Sequence, residues 1–295
     1  VSPVKKQLLV LVKHERARDA AVRFFTLRGF KTIAVDRREI NEGNELVISH
    51  DRALYGDEDL LSNTAGALVL DSGYMWPQPA VKPSQIEWLS HRNDFDEYLR
   101  NERECASLWY SLLEILNHTL PLCMNMQAAF EAEAFKPWAL ATLEQGGVDV
   151  APTISGNDRE RMRTFIEQSG GPVLSVPLGI ECEPRWIHSI DEADLQLEVE
   201  PVMLQSLSNE ETIRVVAVEG KALIVEPASC NDASIEYTVS AVHSLLKISF
   251  VELVFRYAGK PVLSDFSASP EMRLVSGEHS ESILEEILSS LRRKR

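Results

Sequence analysis

The sequence predicts an α/β to α+β protein built from more than one module, on three observations. Short apolar runs alternate with amphipathic helical stretches, glycine pairs punctuate helix ends, and 295 residues exceed one minimal domain. The composition, 44% hydrophobic and 25% charged, is that of a globular chain able to bury a sizeable core.

The elements follow in order. Gln7 to Lys13 is a short apolar run, and Ala17, Ala20, Ala21, Phe24, Phe25 and Leu27 then mark a helix that ends at Gly29. Strand-like Lys31 to Val35 and Ala65 to Asp71 complete a strand–helix–strand order that predicts a parallel sheet. Gly73 to Pro79 is read as a loop, because prolines there cannot donate to a ladder. From Phe95 to His118, residues Leu99, Leu108, Trp109, Leu112, Leu113 and Leu116 keep helical spacing.

A second module starts near Leu122 with a helix over about 135–146, closed by Gly146-Gly147. Val148 to Ile154 reads as a strand, and Asn157-Asp158 caps a helix that runs to Ser169 and stops at Gly170-Gly171. Further strands are expected at Pro172 to Leu178, 201–206, 213–218 and 221–226, with a helix over 238–247. Phe250 to Arg256 and Val262 to Phe266 form a hairpin, and the last helix covers Ser280 to Leu291. The basic run Arg292 to Arg295 complements that helix's C-terminal end. The expected divisions are 1–120, 121–200 and 201–295, without an internal repeat.

A formal charge of −15 with scattered basic residues argues against nucleic-acid binding. The cysteines Cys105, Cys123, Cys182 and Cys230 form no C-x-x-C pair, so neither zinc nor a redox motif is expected. No apolar run approaches the roughly 18 residues of a membrane span, and the start is not a secretory signal. The expectation is a cytoplasmic protein with reduced thiols, no membrane partner and an open oligomeric state. H-E-x-x-H, G-x-S-x-G, G-x-G-x-x-G and P-loop patterns are all missing from the sequence, and His188 and His243 read as surface or satisfied core residues.

Several blocks in the second half occur in a telling order: Lys136-Pro137 opening a helix, Gly147 to Thr153, Gly170 to Leu178, Pro201 to Gln205, Ile213 to Val216 and Ser264 to Pro270. In that order and spacing the chain resembles the ATP-grasp superfamily, in particular glutamate ligases that modify protein tails and ATP-grasp maturases of ribosomal peptides. The first 120 residues resemble the maturases' preceding (pre-ATP-grasp) domain more loosely, through Phe95 to Glu102 and Asn125. The resemblance implies an N-terminal α/β domain and two ATP-grasp lobes. It also implies an ATP-dependent carboxylate–amine ligase that activates a carboxylate as an acyl phosphate, with cations and magnesium neutralising phosphate charge.

Carried over residue by residue, Lys136 matches a phosphate-facing lysine, although an exposed lysine in a first helical turn is its plain alternative. Gln205 matches the adenine hinge. Arg214 matches an arginine just after the hinge that serves phosphate and catalysis; a structural salt bridge is its alternative. Glu252 and Asp265 match the magnesium ligands and would oppose each other across the hairpin if Ala258-Gly259 is the turn; solvated edge carboxylates are the alternative.

Four departures stand against these matches. Val176 replaces the second family lysine, Ser206 an acidic hinge residue and Ser267 an asparagine, while residues 227–238 lack the family's arginine–asparagine loop and contain no cation. Two functions follow. One is a relative with impaired nucleotide binding and catalysis that acts through a peptide or protein partner, with the Tyr74 to Pro79 loop as a contact. The other is an active, atypical peptide ligase using ATP and Mg²⁺. The first needs no cofactor.

Overall fold

The computed structural model describes residues 6–12, 15–36, 40, 45–49, 52–70, 92–177, 185–189, 202–207, 211–227, 232–257, 259–268 and 279–293. The Tyr74 to Pro79 loop, Cys182, Cys230 and the end of the basic tail lie outside these residues, as do most side chains of Phe95 to Glu102. The chain divides into two compact units. One comprises Val1–Phe130, Ile248–Phe250 and Ala268–Arg295; the other comprises Glu131–Lys247 and Val251–Ser267.

The first unit begins with β1 (Gln7–Val12), α1 (Glu15–Leu27) and β2 (Lys31–Asp36), as the alternation predicts. A small antiparallel sheet of β3 (Leu46–Ile48), β4 (Ala53–Tyr55) and β5 (Glu58–Asp59) follows, which the sequence reading did not anticipate. Next come β6 (Thr64–Val69), the long α2 (Arg92–Thr119) and β7 (Cys123–Met124). The main sheet, β2-β1-β6-β7, is parallel throughout. Its strands are near-continuous apolar runs, Leu8 to Leu11 being fully buried, as expected of a parallel sheet covered on both faces.

The second unit starts within α3 (Gln127–Ala134) and continues through α4 (Lys136–Gln145), β8 (Thr153–Gly156), α5 (Arg159–Ser169), β9 (Val173–Pro177), β10 (Arg185–Ile187) and β11 (Val202–Gln205). It ends with β12 (Thr212–Val218), β13 (Lys221–Glu226), α6 (Ala233–Leu246), β14 (Phe250–Tyr257) and β15 (Pro261–Ser267). Two four-stranded sheets result, ordered β10-β9-β11-β8 and β13-β12-β14-β15. The stretch read as one strand from Val148 to Ile154 serves both: Val150 bridges to Leu263 of β15, and Thr153 onward pairs with β11.

Helix α5 starts where Asp158 accepts the N–H groups of Glu160 and Arg161, and stops at left-handed Gly170. Its buried Met162 and Ile166 cluster with Val173, Ile187, Val202 and Leu204. Helix α6 begins five residues earlier than its apolar pattern suggests, because Asp232 caps it by accepting the Ser234 N–H.

The last helix, α7 (Ser280–Arg293), belongs to the first unit, as does the chain from Ala268 onward, and not to the second unit, which ends at Ser267. Arg28 of α1, stacked over the Phe24 ring, pairs with Glu281 and Glu285 of α7. At Gly66 of β6, a Cβ would meet the Leu122 carbonyl at 2.7 Å and the end of the Leu291 side chain at 2.6 Å, so glycine lets β6 approach both the Leu122 backbone and this helix closely. Asn125 gathers the chain where it leaves and re-enters this unit. Its buried amide donates to the carbonyls of Phe250 and Ala268 and accepts the N–H groups of Ser249 and Phe250.

Candidate functional site

The two sheets of the second unit provide two different surfaces. In β10-β9-β11-β8, side chains alternate between faces. Val173, Val202 and Leu204 go to the α5 core, while Val176 pairs in register with Met203 on the opposite face, beside the Gln205–Leu174 pair. Val176 is half-buried and outside the α5 cluster. A cation at this position would lie on the face away from that core; the valine supplies none.

Gln205 ends β11 almost fully buried, and its Nε2 donates to the Ser264 carbonyl at 2.9 Å. The reason lies in β15. Val254 pairs with Asp265 but Phe255 with Leu263, so Ser264 is a bulge residue whose carbonyl has left the ladder. A buried carbonyl needs a donor, and the Gln205 amide is that donor. The next N–H, of Ser206, is taken by the Pro152 carbonyl.

A turn one residue longer than expected and this bulge together shift the expected register by two. Tyr257 pairs with Pro261, Gly259 in the turn adopts φ +76°, and Glu252 stands opposite Ser267 instead of Asp265. Glu252 and Asp265 nevertheless share a face as diagonal neighbours, since Asp265 opposes Val254. Leu263 lies on the other face, with Phe255.

Both expected cations meet these carboxylates. Arg214 of β12 donates from Nη1 to Glu252 Oε1 at 2.7 Å; the Glu252 side chain is only 5% exposed, the arginine 37%. Lys136, the first residue of α4, reaches Asp265 Oδ1 with Nζ at 2.5 Å and lies 5.5 Å from the Phe266 ring centre. Between them Ser267 donates to Glu133 Oε1 at 2.7 Å. Glu133 joins this cluster of side chains, and sequence reasoning missed it. The one signal for it was its place three residues before Lys136, the two straddling the break between α3 and α4.

Four of the five expected site residues, Lys136, Arg214, Glu252 and Asp265, therefore come together on one sheet face as two ion pairs. Gln205 anchors the bulge beneath them. Among the described residues, no three acidic, histidine or cysteine side chains converge as a ready metal site, and no helix is long and apolar enough to cross a membrane.

No protein-family model matches the chain, and no curated protein does. Solved structures do. A structure of the ATP-grasp ligase PsnB complexed with a minimal precursor superposes with a TM-score of 0.78 at 16% identity, covering 99% of this chain and 99% of that one. The macrocyclase MdnC bound with precursor peptide MdnA, from Microcystis aeruginosa MRC, gives 0.71 at 11% identity, covering 96% and 99%. A RimK domain ATP-grasp protein from Sphaerobacter thermophilus DSM 20745 gives 0.63 at 14%, again covering 96% and 99%.

Proposed function

We propose, for a chain that has the ATP-grasp fold over nearly its whole length, that it is a relative of the peptide-modifying carboxylate–amine ligases in which nucleotide binding and catalysis are impaired and peptide or protein binding is retained. The observation that carries this reading is the state of the site's charges. Lys136 and Arg214 are each engaged by a carboxylate, and the sheet position that would supply a further cation is Val176. We assign the nucleotide lobes to residues 121–200 and from 201 to Ser267, leaving the closing helix to the first unit.

The donor chemistry fits Mg²⁺, which takes one or two carboxylates and completes its shell with water and phosphate oxygens. Glu252 and Asp265 would hold it, and Lys136 with Arg214 would face the phosphates. The metal supplies charge neutralisation at a transferring phosphoryl group. What the chain itself supplies falls short. A charge-assisted hydrogen bond contributes about 1.5–3 kcal/mol, so losing the cations expected at 176 and within 227–238 weakens nucleotide binding about a hundredfold or more.

The partner reading draws on the structural neighbours. PsnB and MdnC are complexed with precursor peptides, and a peptide is the partner class proposed here. A calorimetric titration with ATP and Mg²⁺ tests the main claim: affinity weaker than micromolar is expected, and micromolar binding overturns it. The retention of Lys136, Arg214, Glu252 and Asp265 on one face favours the second reading, an atypical active ligase. ADP release that depends on an added peptide would establish it.

A further inference from the structure

Resting on the reading that the chain acts through a peptide or protein partner, we propose that the outer face formed by α4 and α6 is the docking surface for a basic amphipathic helix of a partner protein. The first support is apolar exposure. Trp138 of α4 is 56% exposed, and Tyr237 and Leu245 of α6 are 52% and 43% exposed. They border one seam, because the two helices meet where the chain leaves α4. Leu245 lies against Gly146, where a Cβ would meet it at 2.5 Å, and the Tyr237 hydroxyl donates to the Gly146 carbonyl at 2.6 Å. Trp138 and Thr142, one turn apart, lead along α4 towards that junction. Grouped aromatic exposure of this kind marks an interaction surface, whereas single exposed apolar residues do not.

The second support is rigidity. The Tyr237 hydrogen bond holds its ring across the seam, and Gly147 beside it adopts φ +87°, with that hydroxyl 3.2 Å from where a Cβ would stand. A surface fixed before contact loses little entropy on binding, and tryptophan and tyrosine are the side chains that most often anchor interfaces.

Charge selects the occupant. Of the chain's 45 acidic and 30 basic residues, 22 and 10 lie in the second unit, which thus carries −12 of the formal −15. On the helices themselves Glu144 and Glu236 are exposed, α6 has no lysine or arginine, and the one basic residue of α4, Lys136, is engaged with Asp265. Lysine and arginine side chains are drawn to a negative field and stack on indole and phenol faces, so a helix with an apolar stripe and basic flanks fits. Anionic lipid surfaces and nucleic acids are repelled. A second copy of the chain would bring an equally acidic face.

The test uses the full chain and two fluorescein-labelled helical peptides of one amphipathic pattern, lysine–leucine and glutamate–leucine, read by anisotropy at low and physiological salt. The lysine–leucine peptide is expected to bind and the glutamate–leucine peptide is not; equal binding of both overturns the proposal. Trp138→Ala should weaken binding about tenfold or more, as loss of an interface anchor does. Glu144→Lys with Glu236→Lys should weaken it about tenfold, whereas the charge-matched Glu160→Lys with Glu167→Lys on α5 should change it less than about threefold. Equal losses in the two charge variants mean attraction to the unit as a whole and overturn the docking surface, as does unchanged binding by Trp138→Ala. Should the Glu144–Glu236 variant fail to fold, Trp138→Ala decides alone, because a side chain this exposed adds little to the core. Sedimentation of the unaltered chain covers the remaining occupant: self-association abolished by Trp138→Ala would assign the face to a second copy and overturn the proposal. The functional reading fails separately, on micromolar ATP–Mg²⁺ affinity, whatever the peptides do.

Discussion

The sheet β10-β9-β11-β8 and the sheet β13-β12-β14-β15 lie in one compact unit, yet they have kept different amounts of polar chemistry. On the first, the position where the resemblance expects a lysine is a half-buried valine in register with buried Met203. On the second, two cations and two carboxylates remain as pairs, with Glu252 deeply buried. A lone cation on an apolar strand stabilises nothing without its ligand, so a valine at this position costs folding nothing. A cation whose partner is buried cannot be dropped so freely, because its loss strands the opposite charge. The ion pairs of the second sheet therefore matter to folding on electrostatic grounds alone.

The largest effect should come from breaking that interdependence. Arg214→Ala removes a charged partner of a buried carboxylate and is expected to cost about 3 kcal/mol in denaturant unfolding. A loss under half that would mean Glu252 is satisfied without it.

Next is Val176→Lys combined with Ser267→Asn, which makes the first sheet resemble the second. Since Val176 faces away from the α5 cluster, the variant should keep its ligand-free melting temperature within a few degrees and gain an upward shift with ATP and Mg²⁺. Saturation at about a hundred times Kd would add about 2.7 kcal/mol. A large ligand-free loss without nucleotide response would show that residues 173–177 are misaligned with the lysine strand.

Smaller again, Asp158→Ala removes the α5 cap and should cost about 1 kcal/mol while leaving ligand responses alone. Lys136→Met should cost under about 1 kcal/mol, because Asp265 is half exposed and the pair is screened. Equal penalties for Lys136 and Arg214 would erase the distinction drawn between a buried and an exposed pair.

The smallest effect concerns acid. The Ser234 backbone N–H, donating at 2.8 Å, holds the Asp232 carboxyl below its ordinary 3.8. A lowered folded-state pKa stabilises α6 fully above about pH 3.8, and that contribution is lost as pH falls through the lowered value. Asp232→Asn keeps a capping oxygen and should flatten this acid-side slope in a pH series of melts.

Much of the architecture was legible because local rules suffice for it. The alternation of apolar runs and helical spacing yields β1, α1, β2 and β6, and Asp158 with Gly170 brackets α5. The ATP-grasp resemblance was legible in the order of blocks, and four residues it singles out meet as two ion pairs. The hairpin register was not, because neither a third turn residue nor a bulge at Ser264 leaves a mark in a pattern of apolar residues; the first slip changes which side chains share a face, and the second returns Asp265 to the face of Glu252. Glu133 was hidden for a similar reason: it joins the site through a serine more than a hundred positions away in the chain.

What the sequence by itself determined is the set of elements and the inventory of charges, since propensity, capping and periodicity act over a few residues. Tertiary structure alone decided the partners. Gln205 became the donor for a displaced carbonyl, Arg214 the counter-ion of a buried glutamate, and the last helix a neighbour of Gly66 in the first unit. Each of those outcomes turns on desolvation and close approach between distant segments, and both exist only once the sheets have packed.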